Sequence, residues 1–166
     1  MKSRVFVAFL TLLSLAALPS LAQANPVWTA VASTGAVDEA AATFYAVTGT
    51  QLGYLPGSNS INPVVARYNV TNLANNTNPN WNVLELGYFD PAMASQVAAT
   101  LWQVNPCTGE QIALCTATSI DNGQPACVSC NFGGGINFNN FLYYVDVRVD
   151  RNNPMLQPLA YTLRIF

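Results

Sequence analysis

"FLYYVDVRVD", residues 141–150, alternates for ten positions: Phe141, Tyr143, Val145, Val147 and Val149 share one face, and Asp146, Arg148 and Asp150 the other. Period two with β-branched and aromatic residues marks a strand that buries one side and wets the other. The same spacing placed on a helix would scatter those five apolar side chains around the whole girth. Working outward, the pattern recurs. Val64, Ala66, Tyr68 and Val70 oppose Val65, Arg67, Asn69 and Thr71, and within 81–89 Leu84, Leu86 and Tyr88 oppose Glu85 and Gly87. Residues 97–104 and 111–120 are rich in Val, Ile, Thr and Trp, and Tyr161, Leu163 and Ile165 repeat the alternation at the end. The acids and alanines of 38–42 suit the start of a short helix, and 43–48 is expected as strand.

Turn residues punctuate these runs: Leu55-Pro56-Gly57, the Asn-rich stretch 75–80, Asp90-Pro91, Asn105-Pro106, Asn122-Gly123 and the glycines 133–135. Short strands so punctuated predict an all-β fold, a single antiparallel β-sandwich of the jelly-roll kind. Residues 141–150 and 161–166, joined through Asn152-Asn153-Pro154, are expected to form a closing hairpin. A transmembrane barrel is disfavoured by register, because a terminal Phe166 on the lipid face would lie in phase with apolar residues, and here it lies in phase with Arg164 and Thr162.

The segment "FLYYVDVRVDRNNPMLQPLAYTLRIF" resembles the closing hairpin of bacterial pre-peptidase C-terminal domains, with a Tyr-Tyr-x-Val-x-Val strand, a loop and a Tyr-Thr-Leu strand. "QVAATLWQVNPCTGEQIALCTATS" is similar to the hairpin that precedes it. The two cover about a third of residues 25–166. The resemblance implies a secreted jelly-roll accessory module and brings no catalytic residues with it.

The amino terminus sets the compartment. Residues 1–24 open with Lys2 and Arg4, continue through an apolar run and end on Ala22-Gln23-Ala24, the pattern of a secretory signal peptide cleaved after Ala24. The run is too short for a span, which needs roughly 20 residues. The expected mature chain, 25–166, is one domain, secreted or periplasmic and of bacterial style, with no membrane span. It keeps four arginines, no lysine, all eight acids and no histidine. So few cations cannot neutralise a phosphate backbone, which argues against nucleic acid. Without histidine, the usual base of Ser-His-Asp and Cys-His sites and the commonest zinc ligand are missing.

All four cysteines, Cys107, Cys115, Cys127 and Cys130, lie within 24 residues of one another. Their spacing lacks the two close pairs of a structural zinc site. Cys127-Val-Ser-Cys130 is followed by Asn-Phe-Gly-Gly-Gly, which opens no helix to lower a thiol pKa as a redox centre requires. An oxidising exterior favours disulfides, and an even number predicts two. If Asn122-Gly123 makes a two-residue hairpin turn, Cys115 faces Cys130 and leaves Cys107 for Cys127; Pro125 weakens that ladder, and Cys127–Cys130 competes as a local bridge.

No metal or cofactor is expected, since neither Asp38-Glu39 nor Asp121-Asn122 shows the repeated acidic spacing of a calcium loop. Three functional classes follow. The first is a non-catalytic binding or structural module, whose partner is a glycan or another exported protein. The second is a carbohydrate-binding domain using Trp81, Asn82 and Tyr88, because aromatic faces with amide neighbours suit sugars, although Trp81 at the start of a strand fits core packing better and Tyr88 fits the core or a sheet surface. The third is a small hydrolase working through carboxylates, Glu85 with Asp90 or Asp146 with Asp150, although acids on the polar side of a strand usually pair with Arg. Asn69-Val-Thr71 and Asn75-Asn-Thr77 match the N-glycosylation acceptor, which carries no meaning in an ordinary bacterial context.

Overall fold

The computed structural model describes residues 26–72 and 78–166; residues 1–24, where a leader is expected, and Asn75-Asn-Thr77 lie outside them. Among the described residues eleven strands form: β1 (Trp28–Val31), β2 (Ala36–Val37), β3 (Tyr45–Thr48), β4 (Gln51–Tyr54), β5 (Val64–Val70), β6 (Val83–Phe89), β7 (Ser95–Val104), β8 (Gln111–Thr118), β9 (Pro125–Asn131), β10 (Leu142–Arg151) and β11 (Leu159–Ile165). Two short 3-10 turns, Ala32–Thr34 and Glu39–Ala41, join the first three, and the Asp38 carboxylate caps the second through the Ala40 N–H at 2.8 Å. Among the described residues no helix is long and apolar enough to cross a membrane.

One sheet runs β3-β4-β11-β6-β9, with β1 also paired to β11, and the other runs β2-β5-β10-β7-β8, all antiparallel. From β4 onward every connection except β7–β8 carries the chain from one sheet to the other, which is the winding of a jelly roll. The inward faces are those the alternation marks: Val64, Ala66, Tyr68 and Val70 on β5, Leu84, Leu86 and Tyr88 on β6, and Tyr143, Val145, Val147 and Val149 on β10 are buried in one core.

Three expectations are corrected. β10 and β11 are no hairpin, because β10 pairs with β5 and β7 while β11 pairs with β1, β4 and β6 in the opposite sheet. Their connection is an arch between sheets, and alternation alone does not say which sheet a strand joins. Within β11 the pairing to β6 slips between Ala160 and Thr162, so Ala160, Leu163 and Ile165 point inward and Tyr161 sits half-buried on a bulge. Asn122-Gly123 likewise lies in an arch, although Gly123 does take the left-handed φ of 63° that a turn glycine provides.

The third correction concerns the cysteines. Cys115 and Cys130 are bonded, with Cα atoms 6.0 Å apart, while Cys107 and Cys127 are free and exposed. One bridge forms where two were expected. β8 and β9 are the edges of opposite sheets. Cys130 faces the core opposite Leu84, and Cys115 faces it opposite Leu101, so the bond stitches the two sheets across their shared margin. Cys127 is three residues from Cys130 on the same strand and therefore points outward, opposite Gly87. That parity forbids both the local Cys127–Cys130 bridge and an inward bridge to Cys107, which sits in the β7–β8 turn with its N–H on the Asn105 side chain at 2.9 Å.

Tyrosines carry much of the interior. Tyr68 is buried with its hydroxyl on the Ala32 carbonyl at 2.5 Å, and burial pushes its pKa well above 10.0. Burial also raises Tyr54, Tyr143, Tyr144 and Tyr161. A folded-state pKa above the unfolded value leaves stability intact below about pH 10 and removes it as pH climbs, since the unfolded chain ionises first. Stability is therefore expected to fall above about pH 10, by up to about 1.4 kcal/mol per pH unit for each tyrosine kept neutral by the fold. Urea titrations between pH 9 and about 12 check this, and Tyr68→Phe should flatten the slope; an unchanged slope would remove Tyr68 from the account.

Candidate functional site

Trp81 is a core residue, 1% exposed, with its indole N–H donating to the Pro26 carbonyl at 2.7 Å and its ring edge-on to Phe138. Tyr88 is buried too, its hydroxyl donating to the Ile120 carbonyl at 3.2 Å and accepting the Ile120 N–H at 3.1 Å. Asn82 is exposed, but its backbone is committed, the N–H to Phe166 and the carbonyl to Phe132. The proposed sugar platform of Trp81, Asn82 and Tyr88 is thus corrected: two of its three members have no face to offer a ligand.

The carboxylates weighed as catalysts each hold a partner. Asp146 accepts two bonds from Arg67 at 2.8 Å, Asp150 accepts two from Arg148 at 2.6 and 2.9 Å, and Glu85 pairs with Arg164 at 3.0 Å. The Asp146 carboxylate raises Arg67 and the Asp150 carboxylate raises Arg148 above the usual guanidinium value. These are cross-strand or same-strand pairs on the wet faces, where such bridges contribute little to stability. Among the described residues no three of His, Cys, Asp and Glu gather closely enough to hold a metal.

Two charged side chains that the pattern did not single out for structure are buried, Asp90 at 2% and Arg151 at 3% exposure. Both stand at one end of the sandwich. The connections β4–β5 (55–63), β6–β7 (90–94), β8–β9 (119–124) and β10–β11 (152–158) all emerge there, as the antiparallel pairings require.

Arg151 fans its guanidinium over four backbone carbonyls: Nε to Ser60 at 2.9 Å, Nη2 to Ser58 at 2.7 Å, and Nη1 to Pro154 at 2.9 Å and Leu156 at 2.8 Å. It lies 3.8 Å over the Tyr54 ring, whose hydroxyl donates to Asn62 and Val149 carbonyls. Burial pushes Arg151 below the usual guanidinium value and Tyr54 above the usual phenol value. One cation thereby fixes two loops.

Asp90 does the same for the other pair. Its carboxylate accepts the Ser95 hydroxyl at 2.6 Å and the Ser119 hydroxyl at 2.5 Å, and its carbonyl accepts the N–H groups of Asn122 and Gly123. Loops 90–94 and 119–124 are joined through it. Burying a charge without a counterion is costly unless every hydrogen-bonding position is filled. Arg151 makes four such bonds to backbone carbonyls and each Asp90 carboxylate oxygen accepts a hydroxyl, and what the cost secures is a fixed arrangement of four loops.

Those four loops carry Leu55, Ile61, Met93, Ile120 and Met155, all exposed, with Met93 at 90% and Met155 at 86%. They hold five prolines, Pro56, Pro63, Pro91, Pro154 and Pro158, and their exposed ionisable side chain is Asp121. The β2–β3 connection (38–44), whose Phe44 carbonyl accepts the Leu55 N–H, emerges beside them and adds exposed Asp38 and Glu39.

Elsewhere, the outer face of the β2-to-β8 sheet stacks Arg67 over Tyr144 at 4.0 Å and Tyr144 on Trp102 at 6.2 Å, with Tyr144 donating to the Gln111 amide oxygen at 2.5 Å. A groove of about 470 Å³ runs along β1 and β11 between Thr29, Val31, Thr34, Thr162 and Arg164, whose guanidinium is already paired with Glu85.

No protein-family model matches the chain, and no curated protein matches it. Among solved structures it is similar to the Gx strain of infectious bursal disease virus (14% identity, TM-score 0.40, 84% of this chain and 31% of that one). The same virus's subviral particle matches at 12% identity and TM-score 0.38, over 84% of this chain and 32% of that one. The chain thus spans about a third of the length of the structures it matches. A likeness this distant bears on neither family nor function.

Proposed function

We propose that this chain is an exported, non-catalytic binding module whose working surface is the loop end of the jelly roll. The observation that carries the reading is the pair of buried clamps: Asp90 and Arg151 fix four loops that expose Leu55, Ile61, Met93, Ile120 and Met155. Rigid presentation lowers the entropic cost of binding, and an exposed apolar cluster on a soluble domain marks a site of association. The engagement of Glu85, Asp90, Asp146 and Asp150 with structural partners supports a non-catalytic role. The leader pattern supports export, and the bridge between Cys115 and Cys130 suits an oxidising exterior.

Co-sedimentation of residues 25–166 with cell envelopes of the producing organism tests the surface. The chain is expected to be retained, and the triple variant I61S/M93S/M155S to be released while keeping its thermal midpoint. No retention, or equal retention of the variant, would overturn the reading.

A further inference from the structure

We infer that Asn122–Gly123, in the arch between β8 and β9, is a self-modifying site: the asparagine amide leaves as ammonia through a cyclic imide, and water reopens the ring as aspartate or isoaspartate. The inference stands apart from the reading of the loop end as a binding surface and needs no partner but water.

The sequence contains one asparagine followed by glycine, and it is Asn122. Ring closure requires the amide nitrogen of the next residue to reach the asparagine Cγ. After Asn25, Asn62, Asn78, Asn105 and Asn153 that residue is proline, which has no N–H to give up. Every other asparagine precedes a residue whose Cβ crowds the approach, whereas Gly123 has none.

The fold keeps this pair open. Asn122 and Gly123 are both exposed, Gly123 holds a φ of 63°, and a Cβ placed on it would meet nothing within 4 Å, so there is room for the ring and for water. The Asn122 Oδ1 accepts the Gln124 N–H at 3.0 Å, which folds the side chain back along its own main chain past Gly123 and polarises the Cγ carbonyl. The Gly123 N–H donates to the Asp90 carbonyl at 3.2 Å, and the same oxygen takes the Asn122 N–H at 3.4 Å. Both bonds are long against the usual value of about 2.9–3.0 Å, so the attacking nitrogen is positioned yet released at small cost. Ser95 and Ser119 hold the Asp90 carboxylate, which keeps that carbonyl in place under the arch.

The chemistry closes without a cofactor. The Gly123 nitrogen loses its proton to hydroxide and bonds to the Asn122 Cγ; the bond from Cγ to Nδ2 breaks, and ammonia departs with a proton taken from water. Addition of water at Cγ then gives aspartate, and addition at the Asn122 main-chain carbonyl gives isoaspartate, with the backbone routed through Cβ and Cγ. The second product is one carbon longer between the two N–H groups that hold the Asp90 carbonyl, and it sets a new carboxylate beside Asp121. Loops 90–94 and 119–124 therefore loosen from one another, while the bridge between Cys115 and Cys130, which encloses the arch, keeps β8 and β9 joined.

The test incubates residues 25–166, folded and with the bridge intact, in mildly alkaline buffer and follows each asparagine by peptide mass spectrometry. The peptide carrying Asn122 is expected to gain the mass difference between amide and acid, with ammonia released in equal amount and isoaspartate present among the products. It should change at least about tenfold faster than the equally exposed Asn139, Asn140 and Asn152. Asn122→Gln, which would have to close a six-membered ring, should remove the gain at that position. In urea the rate at Asn122 should lie within about tenfold of the folded rate. A folded chain protected by more than that would overturn the inference, because the arch would then shield the pair. Aspartate without isoaspartate would overturn it by showing direct hydrolysis of the amide, and equal change at Asn139, Asn140 and Asn152 would do so by making exposure alone the cause.

Discussion

Replacing Arg151 by leucine is expected to lower the unfolding free energy by about 3 kcal/mol, the lower part of the range for breaking a buried charged network. Two effects oppose one another. Removing the cation relieves its own desolvation, already visible in the lowered pKa of the guanidinium. Against that, the carbonyls of Ser58, Ser60, Pro154 and Leu156 lose charge-assisted bonds and the Tyr54 face loses its cation. Bonds to a charged donor are each worth roughly 1.5–3 kcal/mol, so the losses win even if water reaches half the carbonyls. In a domain of this size the thermal midpoint should fall by about 10 °C. Arg151→Lys should recover less than half, because three donors on one nitrogen cannot span carbonyls presented by two loops. Urea unfolding measures the first effect, and limited proteolysis at 55–63 and 152–158 measures the loosening. A loss under about 1 kcal/mol, or full rescue by lysine, would mean that Arg151 is not the clamp its geometry describes.

What the chain discloses without coordinates is the faces of its strands, and for a physical reason. Burial on one side imposes period two on any strand, so β5, β6 and β10 are legible from their own residues. Sheet membership is not, because the same alternation serves a hairpin partner and a strand across the sandwich; hence the misplaced hairpin at β10–β11. Short strands escape for want of periods: β1, β2 and β4 have four residues or fewer. The clamps at the loop end left a trace in the sequence. Asp90 continues the inward series Leu84, Leu86, Tyr88, and Arg151 continues Tyr143, Val145, Val147, Val149. An apolar face that ends on a charge is either a solvated strand end or a buried clamp, and only the surrounding carbonyls and hydroxyls distinguish them. Trp81 is ambiguous for the complementary reason: an Asn-rich setting suits an exposed ring and the start of a strand suits a buried one, and its indole reaches inward to Pro26.

Removing the bridge with C115A/C130A should cost about 3 kcal/mol, the chain-entropy value for a loop of roughly fifteen residues, here a separation of 15. The loop it closes contains the arch 119–124, so an unbridged chain must also pay to bring two sheet edges together. The variant C107A/C127A should cost under about 0.5 kcal/mol, as expected for surface positions outside the core. Thiol labelling of the native oxidised protein gives the independent reading: two groups react, Cys107 and Cys127, and four react after reduction and unfolding. Zero reactive thiols would restore a second bridge, and the two double variants would then cost alike. The asymmetry follows from strand parity. Cys115 and Cys130 meet because each occupies an inward position on the edge of its own sheet, and Cys127, an odd number of residues from Cys130, is turned to the outside. Its thiol therefore contributes nothing to the union of the two sheets, and the whole covalent contribution to stability rests on the single bond across the margin.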